Sequence, residues 1–312
     1  MKSTFFSKLF IFLLLISFIT ISSCKKKEKE VIEEDTEQST LEDNNLAESS
    51  VNDIESIGSQ LTENSALTTF KTNGIDVLPI APCATVTGIG TKTITVNFGS
   101  PDSSGCIGLD GRTRKGKLIY TKNSPINVLY YRNPGFSISV SSDNYFVDGN
   151  KINIINKTVT NTTPNSLPVG TNPGINLTWS ISANVSIIKA NNAGTCSWIC
   201  NRTKELINTS DPLCYKGQTQ AIDWNLAQIK INGSTSGTNA KGENFVSIAT
   251  DLIKDHTCHP DPSRPKRTPF ISGTVAYTPG TRATRLINYG NKTCDFNATF
   301  TLKGQTYMIT LK

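Results

Sequence analysis

From residue 75 onward the chain alternates apolar and polar residues with a period of two. Ile94, Val96 and Phe98 alternate with Thr and Asn, and Phe136, Ile138 and Val140 alternate with Ser. Ile175, Leu177, Trp179, Ile181, Ala183, Val185 and Ile187 hold the pattern over thirteen residues. Phe296, Ala298, Phe300 and Leu302 repeat it, as do Tyr307, Ile309 and Leu311. Neighbouring side chains on a strand point to opposite faces, so each run has one dry and one wet face. Such alternation marks antiparallel sheets, since parallel strands are covered on both faces. Asp148-Gly149-Asn150, Lys241-Gly242 and Lys303-Gly304 lie between strand-like runs, where tight hairpins need positive φ. The pattern predicts an all-β body of the antiparallel β-sandwich type, with twelve or more strands. The Pro- and Asn-rich stretch at 163–173 is the best internal break. It divides the body into 75–165 and 166–312, read as two β domains or two halves of one sandwich.

The first 74 residues have a different texture. Met1–Lys8 is basic, and Leu9–Ile21 is a run of thirteen residues that is apolar apart from Ser17 and Thr20. That is short for a membrane span, which needs about 20 residues, but suits the apolar segment of a secretory signal covering 1–23. Ile21-Ser22-Ser23-Cys24 resembles the lipobox of bacterial lipoproteins. The resemblance implies cleavage before Cys24, acylation of that residue, and attachment to the membrane through the anchor. Lys25–Glu30 and Glu33-Glu34-Asp35 resemble the charged signals that follow the lipid cysteine in surface-exposed lipoproteins of Bacteroidota. That places the protein in the cell envelope, at the outer membrane. Residues 24–74 are rich in Glu, Asp, Ser, Asn and Thr and predict a mostly disordered acidic tether. Val51, Ile54, Ile57 and Leu61 stand at near-helical spacing, which leaves room for a short helix inside it.

Charge sharpens this division. The 312 residues carry a net +6, distributed as +2 over 1–23, −8 over 25–63 and +12 over 64–312. The basic body makes a polyanion the expected partner: an anionic glycan, lipopolysaccharide, or the chain's own acidic segment. Arg112, Arg114, Lys115 and Lys117, with Lys266 and Arg267, are the candidate ligand contacts. Tyr130, Tyr131 and Tyr145 are candidates for stacking on sugars. Export makes nucleic acid an unexpected partner.

An exported chain meets an oxidising compartment, so Cys83, Cys106, Cys196, Cys200, Cys214, Cys258 and Cys294 are candidates for disulfides. Seven is odd, and connectivity does not follow from sequence. The pairings chosen are Cys83 with Cys106, Cys258 with Cys294, and Cys196 or Cys200 with Cys214. The competing reading is zinc at His256, Cys258 and His259, because imidazole and thiolate suit that ion. No cofactor is otherwise expected. No Gly-x-Ser-x-Gly elbow, His-Glu-x-x-His helix or phosphate loop occurs. Asp110, Asp143, Asp148, Asp223 and Asp251 could serve glycoside chemistry but fit turn caps better.

Thr93–Asn150, with VNFG, GCIGLDGRTRKGKLIYT, YRNPG and DNYFVDGN, resembles a family of secreted proteins and lipoproteins of Bacteroidota without an established activity. The C-terminal INGSTSGTNAKGENF, ISGTVAY and INYGNKTCDFNATFTLKGQ resemble it too. The resemblance implies an exported all-β protein and carries over no catalytic residues. The expected role is a lipid-anchored, non-enzymatic binding or structural module for anionic glycan, lipopolysaccharide or protein. The alternative is a hydrolase acting on envelope or host polymers.

Overall fold

The computed structural model describes residues 39–63, 71–72, 75–78, 80–164, 176–217, 219–263 and 268–310. The signal segment, Cys24 and the charged run after it lie outside the described residues. Among the described residues, one helix, α1 (Ser39–Glu63), precedes the strands. These are β1 (Lys71–Thr72), β2 (Ile75–Leu78), β3 (Ala81–Thr87), β4 (Thr93–Asn97), β5 (Cys106–Ile107), β6 (Thr113–Lys122), β7 (Ser137–Val147) and β8 (Asn150–Asn161). They continue as β9 (Leu177–Ile188), β10 (Thr195–Leu206), β11 (Gln228–Thr238), β12 (Asn244–Asp255), β13 (Phe270–Pro279), β14 (Arg285–Asn291), β15 (Asn297–Leu302) and β16 (Gln305–Thr310). The expectation of an all-β antiparallel body holds. All sixteen strands belong to one sheet in sequence order, apart from β5, which pairs only with β6.

The alternation read from sequence is the burial pattern of β9, but β15 and β16 depart from it: Phe300 and Leu302 are half-buried and Tyr307 is exposed. In β9 Leu177, Trp179, Ile181, Ala183, Val185 and Ile187 face inward, while Thr178, Ser180, Ser182, Asn184 and Ser186 face out. The expected break near 163–173 does not separate two bodies. β8 pairs with β9 from Lys151↔Ile188 to Asn161↔Trp179, and one core cluster runs through both halves.

The larger correction concerns the tether. Residues 39–63, assigned by composition to a disordered linker, form a helix inside the curl of the sheet. Asp53, Ile54, Glu55 and Ile57 are all buried. Successive helix residues are about 100° apart, so this run turns most of the helix inward and leaves only the side of Glu42, Asn45, Ser49, Asn52, Ser56 and Gln60 partly open. Strands as distant in order as β2, β9, β10 and β13 touch it. Ala47, Val51, Ile54, Ile57 and Leu61 supply its apolar contacts. Gly58, unfavourable in mid-helix by about 1 kcal/mol relative to Ala, is needed for close approach: a Cβ there would stand 2.8 Å from the Tyr120 ring. That ring is fixed, because Tyr120 donates to the Ile54 carbonyl at 2.7 Å.

Composition misled because it counts carboxylates without their partners. An acidic segment is disordered only when burial cannot offset its ordering entropy. Here the sheet supplies both the apolar surface and the cations. A chain reduced to residues 75–312 is therefore expected not to fold, because its interior cations and apolar side chains lose their cover. Thermal melting followed by circular dichroism, with dye binding to exposed apolar surface, checks this. Residues 25–312 should melt cooperatively, and the shorter chain should bind dye and show no transition.

Candidate functional site

The inward face of the sheet carries cations at positions where alternation calls for apolar residues, and Arg114, Lys157, Arg202 and Lys204 each face a carboxylate of α1. Near the helix start, Asp43 accepts from Lys189 Nζ at 2.6 Å and from the Ala240 amide at 2.7 Å. Asn44 Oδ1 accepts from Trp198 Nε1 at 3.1 Å, and Glu48 pairs with Arg202.

At mid-helix, Arg114 of β6 lies between two carboxylates. Its Nε and Nη2 donate to Asp53 at 3.0 and 2.5 Å, and its Nη1 and Nη2 donate to Asp110 at 3.0 and 2.5 Å. Tyr145 donates to Asp53 at 3.3 Å. Burial pushes Asp110 up, but hydrogen bonding and charge from Arg114 outweigh it and hold the carboxyl below its ordinary range. A bulge at Gly116 locally shifts β6 against β7. Its φ of +78° and the Asn144 carbonyl, 1.8 Å from where a Cβ would sit, admit only glycine there.

Glu55 anchors the next cluster. Its Oε1 accepts from Lys204 Nζ at 2.9 Å and from Tyr131 Oη at 3.0 Å, while Lys157 Nζ stands 3.9 Å from Oε2. Burial raises the Glu55 pKa, but the two ammonium groups outweigh it and leave the carboxyl below its usual range. Lys204 is boxed by aromatic rings, with centroids at 4.9 Å (Trp224), 5.4 Å (Tyr131) and 5.7 Å (Trp179). Tyr131 and Trp179 stack at 4.9 Å. At the helix end, Glu63 accepts from the Arg132 amide and the Ile222 amide at 3.0 Å, and from Arg132 Nη1 at 2.9 Å. Here burial prevails over the guanidinium and the amides, and the Glu63 carboxyl is pushed up to about 7.

The residues nominated from sequence are dispersed. Arg114 is fully buried in the helix clamp and presents no charge to an external polyanion, whereas the half-buried Arg112 donates to the Ser49 carbonyl at 3.1 Å and pairs with Asp110. Lys115 donates to the Pro101 carbonyl at 3.2 Å, and Lys117 pairs with Asp143 at 3.5 Å. Lys266 and Arg267 lie outside the described residues. Tyr131 and Tyr145 are core residues rather than sugar platforms, and Tyr130 stacks under Arg132 at 4.1 Å. Among the candidate acids, Asp148 and Asp223 accept from backbone amides at turns.

Cys83–Cys106 and Cys258–Cys294 are disulfides with Cα separations of 5.5 and 5.4 Å, the pairings chosen from sequence. The expected bridge from Cys196 or Cys200 to Cys214 is absent: all three are buried free thiols, Cys196 and Cys200 on the inward face of β10. Burial pushes each up to about 11. Of the zinc candidates His256, Cys258 and His259, Cys258 is bonded to Cys294 and offers no thiolate in this structure. No metal-holding group of three or more His, Cys, Asp or Glu occurs among the described residues.

Sequence reasoning missed the helix acids and their partners Arg132, Lys157, Lys189, Arg202 and Lys204. A charged residue at an inward position of an alternating run was the available signal. Arg114 has the parity of Leu118 and Tyr120, and Lys157 that of Val159. No family model, curated protein or solved structure matches the chain.

Removing one partner of a buried ion pair costs about 3–5 kcal/mol, because the other charge is left uncompensated. Arg114→Met should lower the unfolding free energy by that amount in urea titration, whereas Lys117→Met, at an exposed pair, should cost under about 1 kcal/mol. Glu63 yields a pH signature. Its folded pKa lies above the unfolded 4.5, so the folded form retains a proton that the unfolded chain releases. That stability is fully present below pH 4.5 and is lost as pH rises through about 7. Glu63→Gln should flatten the stability profile across this window in urea titrations repeated at successive pH values. Glu55 and Asp110, with lowered pKa values, contribute the opposite slope only at more acidic pH.

Proposed function

We propose that the chain is a lipid-anchored protein of the bacterial outer membrane, acylated at Cys24, whose β body acts as a non-enzymatic structural or binding module. The supporting observation is the placement of α1. Fourteen residues separate Cys24 from the start of the helix, and its carboxylates are ion-paired into the sheet interior. A load on the anchor is therefore borne by the core and not by a surface loop. The intervening segment can span at most about 50 Å when extended, so the body stays near the membrane instead of standing off on a stalk of fifty residues.

The same placement narrows the partner. Part of the body's basic surplus faces the helix acids, while Lys115 and Lys117 of β6 point away from them. Anionic glycan or lipopolysaccharide is the ligand class proposed for that outer face. The anchor reading is tested by metabolic labelling with radiolabelled palmitate. Label should enter the native chain, and the chain should sediment with outer membranes. Cys24→Ala should take up no label and appear in the soluble fraction. Unlabelled native chain would remove the reading.

A further inference from the structure

Buried polar groups are normally hydrogen-bonded, and an unsatisfied one calls for a reason. Lys157 Nζ is buried with no hydrogen-bond partner. Glu55 Oε2, at 3.9 Å, is beyond hydrogen-bond range. The other oxygen of that carboxylate holds two donors, Lys204 Nζ and Tyr131 Oη. One carboxylate thus faces two ammonium groups in a dry interior. Burial depresses the Lys157 pKa, which favours the neutral amine, a nucleophile. The donors on Oε1 stand where negative charge collects when the carboxyl carbon is attacked. Helix and strand hold both side chains in place. The void lined by Ile54, Glu55, Gly58, Tyr120, Tyr131 and Lys157 has no room for a water molecule.

We propose that Lys157 and Glu55 condense to an intramolecular amide that ties α1 to β8. The Nζ lone pair attacks Cδ, and Oε1 carries the developing charge against Lys204 and Tyr131. One proton from Nζ and one from the Lys204 ammonium pass to Oε2, the Cδ–Oε2 bond breaks, and one water leaves. Lys204 recovers its proton from solvent. Nothing is oxidised or reduced, and no co-reactant is needed. The amide replaces two buried charges by neutral groups. Lys204 then keeps its aromatic box and a carbonyl acceptor. The bond is independent of any acyl chain on Cys24, so it stands or falls apart from the anchor.

Tryptic mapping of the full chain under reducing conditions tests this. The expected result is a branched peptide joining the segment with Glu55, which has no Lys or Arg from 30 to 70, to the segment with Lys157. Its mass should be one water less than the sum of its parts. Lys157→Arg should abolish it, and Tyr131→Phe should slow its accumulation several-fold. Two linear peptides of unaltered mass, after prolonged incubation of the native chain at neutral pH, would overturn the proposal. So would a link from Lys157 to Cys200, which lies across Ala183 in register, carrying an added oxygen. The native map decides even where a variant does not fold.

Discussion

A carboxylate cannot be buried without a counter-charge, and α1 brings five of them, at Asp43, Glu48, Asp53, Glu55 and Glu63, into the sheet interior. Desolvating one ion costs several kcal/mol, recovered only with close, well-directed partners. The inward cations of β6, β8 and β10, with Lys189 and Arg132 from connecting segments, meet that requirement. Their spacing along the helix axis then fixes which strand lies over which turn. Replacing such pairs by apolar side chains is often neutral or stabilising, so we read them as setting register and orientation more than net stability. A helix slid by one turn would leave Arg114 without Asp53 and Glu55 without Lys204.

The same constraint revises what charge says about the surface. The +12 of residues 64–312 stood out as a basic body. Residues 39–63 contain six acids and no Lys or Arg, so the folded unit from 39 onward is +6. Half of the basic surplus is thus matched by a segment of the same chain. Summed charge describes a surface only when the charges are on it.

Much of the sheet was legible in the sequence because an antiparallel strand with one wet face writes its geometry in alternation. β9 could be read residue by residue. Two disulfides were also within reach, because Cys83–Cys106 and Cys258–Cys294 join elements close in sequence. The helix was half visible: Val51, Ile54, Ile57 and Leu61 showed the spacing, but the surrounding acids outweighed it in any compositional reading. What decides between tether and helix is whether cations more than a hundred residues away converge on it. Glu55–Lys204 and Glu48–Arg202 are separated by 149 and 154 residues, and local pattern holds no record of such meetings. Arg114 and Tyr145 were misplaced for the same reason: their residue types suggest surfaces, while their parity within β6 and β7 points inward.

The helix lies near the N-terminus, yet its partners are scattered to Thr235 and Ala240, the latter 197 residues from Asp43. A chain delivered N-terminus first presents this helix long before those strands exist. Alone its apolar stripe of Ala47, Val51, Ile54, Ile57 and Leu61 has nothing to pack against, and no isolated helix of this kind gains much from its own hydrogen bonds. Its structure must wait for β6 to β11, which places the decisive contacts among the slowest to form. During that interval the alternating strands are uncovered on their apolar side, and unpaired strand edges invite association with other chains. The burial of α1 is therefore also a timing device: the body becomes safe from aggregation only when most of its length has arrived.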